Sequence, residues 1–138
     1  MKTNRSVAVR IVALGLTILA MAGAANAAGF TAGNIVVYRV GTGAAGLAGT
    51  ATAVFVDEYT PAGALVQSIA LPTSTVSLQH SLTSSGTSSS EGMMTRSNDG
   101  RFLLLPGYDA ALGGAIASSA SNRVVGRIPN KSQNQAAK

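Results

Sequence analysis

The chain has 138 residues, of which 46% are hydrophobic, 4% aromatic and 11% charged, and it contains no cysteine. Such a composition is the opposite of a charged disordered tail. The missing thiols exclude disulfides, thiolate metal sites and a cysteine nucleophile, so stability must come from core burial and strand pairing. The formal charge of +5 falls to seven basic residues against five acidic ones once the segment carrying Lys2, Arg5 and Arg10 is set aside. Those seven (Arg39, Arg96, Arg101, Arg123, Arg127, Lys131 and Lys138) are scattered and lack interleaved aromatics, so nucleic acid is not an expected partner.

Residues 1–27 begin with basic residues, continue through an apolar stretch from Ile11 to Ala22 and end in Ala25-Asn26-Ala27. This pattern predicts a secretory signal peptide, helical in the precursor. Ala25 and Ala27 supply the small side chains a signal peptidase requires, which places cleavage before Ala28. The apolar stretch is shorter than the ~20 residues of a spanning helix, and no basic stop-transfer flank follows it. Membrane contact is expected only through this segment before cleavage, and the mature protein is expected to be secreted or periplasmic.

Gly33-Asn34 introduces the β-branched run Ile35 to Val40, a strand with apolar residues on both faces that wants cover above and below. Gly41 to Thr50 is rich in glycine and alanine; it lacks the lysine and following helix of a phosphate-binding loop and reads as a connection. Strands over Ala53 to Tyr59 and Ala64 to Leu71 are joined by Thr60-Pro61-Ala62-Gly63, where proline presets φ and glycine accepts the left-handed conformation. Asp57-Glu58 could serve acid/base chemistry or bind a cation, but neighbours on a strand point to opposite faces, which favours a solvated strand end. His80 is the one histidine; with no nucleophile elbow around it, it reads as a surface-loop residue.

Ser81 to Ser90 shows no periodicity and predicts a loop or weak edge strand. Gly92 to Arg96 and Arg101 to Tyr108 form a hairpin across Ser97-Asn98-Asp99-Gly100, a second turn of the same design. Pro106 is expected to end the ladder or mark an edge. Ala111 to Ala120 reads as a small-residue linker and Asn122 to Ile128 as a last strand. The tail after it is polar, with a weak glycosylation match at Asn130-Lys131-Ser132.

The stretches GNIVVYRVG, VFVDEYTPAGALVQSIALP, SEGMMTRSNDGRFLLLPGYDA and NRVVGRI together resemble the opening of secreted bacterial β-propeller proteins. The resemblance implies an all-β fold of antiparallel hairpins: a partial propeller of about two blades over residues 28–128, preceded by a signal-peptide helix and followed by a disordered tail over 129–138. Glu91-Gly92, followed by Asp99-Gly100-Arg101-Phe102, is further similar to the gluconolactonase and senescence-marker propellers. That likeness implies Glu91 as a ligand to a calcium or zinc ion, although Met93-Met94 stand where that family has a proline and an aromatic. From the residues alone, Glu91 is a solvated carboxylate at a strand start, and Met93-Met94 are core or interface filler.

No complete set of nucleophile, base and oxyanion donors is present. The expected function is non-catalytic, acting through a binding surface; the alternatives are a metal-dependent lactone hydrolase of the propeller type and a surface adhesin or self-assembling β-protein with edge-strand association. As a partial propeller the chain is expected to leave Val36, Val54, Val56 and Leu103, or their opposite-face partners, wet and to lack a stable monomeric fold.

Overall fold

A computed structural model describes residues 29–116 and 122–130. It contains seven strands, all paired antiparallel: β1 (Ile35–Val40), β2 (Ala51–Tyr59), β3 (Leu65–Ala70), β4 (Thr83–Ser85), β5 (Thr95–Arg96), β6 (Phe102–Asp109) and β7 (Asn122–Pro129). Among the described residues there is no helix. The signal segment with Ala25, Ala27 and Ala28 lies outside the described residues, as do 117–121 and the tail over 131–138.

Both turns form as their residues dictate. Gly63 and Gly100 adopt φ of 85° and 68°, and each donates its N–H to the carbonyl three residues back, at 2.9 Å to Thr60 and 2.8 Å to Ser97. Asp99 fastens the second turn by accepting the Ser97 hydroxyl at 2.6 Å and the Arg101 N–H at 3.0 Å. Left-handed φ at these positions is what glycine supplies without steric cost.

The sheet is organised around two long strands. β2 carries β1 on one edge; on the other it carries β3 beside its C-terminal half and β4 beside Ala51 to Ala53. β6 carries β7 along one edge, with β5 and β4 beside the two ends of the other. Because β4 pairs with both, the sheet bends across it and curls into a half-barrel. The halves meet in a main core of Val54 and Val56 from β2, Leu105 from β6, Ile128 from β7, and Leu71 and Leu82, and again in a smaller cluster of Ala51, Tyr108 and Ile116. Gly107 and Gly126 admit Leu82 to that core, since a Cβ on either would lie 2.6 or 2.5 Å from its side chain.

Several expectations are corrected here. β1 is covered on one face only, with Val36 and Tyr38 packed on the core and Ile35 and Val37 exposed, because the core lies only on the inner side of the curled sheet. Val54 and Val56 are dry and Val36 and Leu103 half-buried, because the half-barrel supplies their cover from its own second half, so that on β1 it is the opposite-face residues Ile35 and Val37 that stay exposed. The stretch expected to be a loop or weak edge instead provides β4 at the centre of the sheet. There Thr83 and Ser84 are buried, and the Thr83 hydroxyl donates to the carbonyls of Tyr108 and Ala110.

Pro106 does not end its ladder, which continues to Asp109. The Asn130 N–H bonds the Arg101 carbonyl, so by alternation odd-numbered residues of β6 bond β7 and even-numbered ones face the other edge. Pro106 therefore turns its missing donor toward the gap between β4 and β5, where nothing requires it. Its carbonyl accepts the Tyr38 hydroxyl at 3.3 Å.

Candidate functional site

The half-barrel is open between β3 and β7, which form the walls of a groove of about 840 Å³. Ile69 and Leu71 lie on one side, Val124 and Ile128 on the other and Leu82 between, with Leu78 and His80 on the overhanging segment. No carboxylate is among the lining residues.

Among the described residues, both walls end in strand edges with no further strand beside them. The Leu71 N–H bonds Val54, so Ile69 bonds β2 while the backbone groups of Ser68 and Ala70 point away from it. On β7 the same alternation directs Val124, Gly126 and Ile128 to β6 and turns the backbone groups of Arg123, Val125 and Arg127 outward. Each wall pairs with a single strand, β3 with β2 and β7 with β6. Arg123 and Arg127 are stacked on β6 aromatics, 4.8 Å from the Tyr108 ring and 4.5 Å from the Phe102 ring. Stacking fixes the two guanidiniums on either side of Val125.

Asp109 holds the overhang in place. Its carboxylate accepts the Thr75 hydroxyl, the Ser81 hydroxyl and the Ser81 N–H at 2.7, 2.7 and 3.1 Å, and pairs with His80 Nδ1 at 2.7 Å. Hydrogen bonds from Ser81, Thr75 and His80 hold its carboxyl well below the usual range. His80 is thus a surface residue, as expected, but a partnered one. The trio is not a relay, because the Ser81 hydroxyl donates to the carboxylate and to the Ala110 carbonyl rather than to the imidazole. Asp109 carried no motif that would single it out, since its partners lie 28 to 34 residues away in sequence.

Glu91 is not the solvated carboxylate expected from the residues alone. One oxygen accepts the Tyr108 hydroxyl at 2.6 Å; the other accepts the Ser84 hydroxyl at 2.9 Å and the Ser85 N–H at 3.0 Å. Burial would raise its pKa, but these three donors outweigh it and hold the carboxyl below its ordinary value. In turn, the bond to Glu91 and burial push the Tyr108 phenol up. Glu91 thereby ties the 86–94 segment to β4 and β6. Beside it, a Cβ on Gly92 would lie 2.9 Å from the Tyr38 ring. Met93 is exposed, whereas Met94 packs against the core.

Asp57 and Glu58 do point to opposite faces, but neither is solvated: they are 2% and 0% exposed. On the outer face Asp57 receives Arg39 through two nitrogens at 2.5 and 3.2 Å and accepts the Ser68 hydroxyl. The Arg39 guanidinium also lies 4.2 Å from the Phe55 ring. On the inner face Glu58 has no cation beside it among the described residues and accepts hydrogen bonds from the Thr31 N–H, the Asn34 amide and the Gln67 amide at 2.7, 2.7 and 2.6 Å. Both carboxylates are structural. Among the described residues, no three His, Cys, Asp or Glu side chains gather as a metal site would require.

A search of known proteins finds no family whose model matches the chain, and no curated protein or solved structure similar to it.

Proposed function

We propose that this is an exported, non-catalytic β-protein that works by binding in the groove between β3 and β7. The observation that carries the reading is the open groove itself, apolar along its floor and bounded by two strand edges whose outward backbone groups have no strand beside them among the described residues. Export rests on the basic and apolar pattern of residues 1–27, with processing between Ala27 and Ala28. The two three-stranded units, centred on β2 and β6, are read as two incomplete propeller blades that share β4. The lactone-hydrolase reading has less support, because Glu91 already serves three donors.

Two measurements test the proposal. The purified protein is assayed for turnover of lactones, esters and glycosides, and titrated with extended apolar peptides followed by amide chemical shifts. Shifts confined to β3, β7 and residues 78–82 with no turnover are expected. Turnover abolished by one substitution, or calorimetric heat with Ca²⁺ or Zn²⁺ that Glu91→Gln removes, would overturn it. N-terminal sequencing of the exported protein is expected to begin at Ala28.

A further inference from the structure

The groove has a polarity that narrows what it can take. Its β7 rim offers outward backbone groups at Arg123, Val125 and Arg127, alternating with the inward side chains of Val124 and Ile128 and the bare Gly126 between them. Two arginines four residues apart on a strand stand about 13 Å apart on the same face. Arg127 is held over the Phe102 ring, and Arg123 over the Tyr108 ring, where it also interacts with the Tyr108 hydroxyl and lies close enough to Glu91 to favour its charged form without forming an ion pair. All five carboxylates of the chain are engaged elsewhere: Asp57 with Arg39, Glu58 and Glu91 with three donors each, Asp99 in its turn and Asp109 with the overhang. A second copy of this chain therefore has no free acidic strand to offer, and the complementary charge must come from a different partner.

We propose that β7 is a strand-addition site for an extended acidic peptide segment, a reading that rests on the groove being a binding site and names its partner. The segment runs antiparallel to β7, with backbone bonds to Arg123, Val125 and Arg127. Two carboxylates four residues apart lie across from Arg123 and Arg127, with a β-branched residue across from Val125. The two intervening side chains point inward over Val124 and Gly126 and are apolar. Opposite charges directly across an antiparallel pair are favourable and like charges unfavourable. The chemistry is that of a peptide strand rather than of a free anion, because the backbone positions are as much a part of the site as the arginines.

The test uses end-capped peptides built on the core Glu-Val-Val-Val-Glu, its lysine counterpart Lys-Val-Val-Val-Lys, the shifted Val-Glu-Val-Glu-Val and the neutral Thr-Val-Val-Val-Thr, each titrated calorimetrically into the purified protein. The first is expected to bind most tightly and the lysine peptide most weakly. Arg123→Gln and Arg127→Gln are each expected to weaken the first by about two- to fivefold and to leave the neutral peptide unchanged. Val125→Pro removes the central outward N–H while leaving the bonds of β7 to β6 intact, and is expected to abolish binding of every peptide in a protein that still folds. Should Val125→Pro fail to fold, the core peptide N-methylated at its central valine serves instead and is expected not to bind.

Equal binding of the acidic, neutral and lysine peptides would overturn the acidic partner and leave the groove reading standing. Absence of binding by every peptide would overturn both. Self-association in sedimentation that Val125→Pro abolishes, without peptide binding, would assign the edge to a second copy and overturn the proposal.

Discussion

Glu58 gives the sharpest energetic test of the fold. It is a fully buried carboxylate with no cation beside it among the described residues, held by three donors that tie the segment before β1 and strand β3 to β2. Hydrogen bonds to a charged group contribute about 1.5–3 kcal/mol each, against about 0.5–1.5 for neutral ones, and the gain is reduced by the cost of burying the charge. Burial pushes the Glu58 carboxyl up, and the hydrogen bonds from Gln67, Thr31 and Asn34 pull it below its ordinary value, which favours the charged form.

Glu58→Gln keeps the shape and lets one oxygen still serve Thr31 and Asn34, but turns an amide toward the Gln67 amide. The expected loss is about 1–3 kcal/mol. Glu58→Ala removes the acceptor for all three donors and leaves a cavity, for an expected loss of about 3–5 kcal/mol, a large part of the ~5–15 kcal/mol that holds an ordinary domain together. Urea unfolding at pH 7 and pH 4 measures both. Wild type should lose stability toward pH 4 more steeply than Glu58→Gln, because only it carries the carboxylate. Both variants within about 0.5 kcal/mol of wild type at pH 7 would refute the reasoning.

Gly126→Ala should destabilise by about 1–3 kcal/mol, since the new methyl meets Leu82 at 2.5 Å, and Leu82→Ala in the same protein should recover part of that loss in thermal unfolding. Asp109→Asn should loosen the overhang, seen as faster amide exchange at Ser81 with β2 unchanged. Glu58, Glu91 and Asp109 all have depressed carboxyl pKa values, so each favours the folded state above the unfolded value of about 4 and loses that contribution as pH falls through the folded value. Stability measured by urea unfolding should therefore be level from about pH 7 to 5 and decline below about pH 4.

The strands and turns were legible because their signals are local. Thr60 to Gly63 and Ser97 to Gly100 specify their turns through proline, aspartate and glycine chemistry, the runs around Val36, Val56 and Val124 specify strands by β-branched content, and the run around Leu103 does so by a short apolar and aromatic stretch after a turn. Burial was not legible, because it depends on which strands meet. Ser81, Thr83 and Ser84 read as loop, yet the bend of the sheet places them where β2 and β6 converge, and their hydroxyls are satisfied by Asp109, by the Tyr108 and Ala110 carbonyls and by Glu91. Glu58 read as solvated because its donors stand 9 to 27 residues away. The groove was equally silent in sequence, since a free edge is a property of pairing and not of composition.

The central claim is that β7 presents a free edge to the groove, and amide hydrogen exchange along that strand tests it most directly. The N–H groups of Val124, Gly126 and Ile128 bond β6 and those of Arg123, Val125 and Arg127 do not. An alternating pattern is expected, slow at the first three and fast at the other three, with the fast set slowing when the acidic peptide is added. Uniform protection along β7 in the free protein would mean that the edge is already covered and would contradict the account.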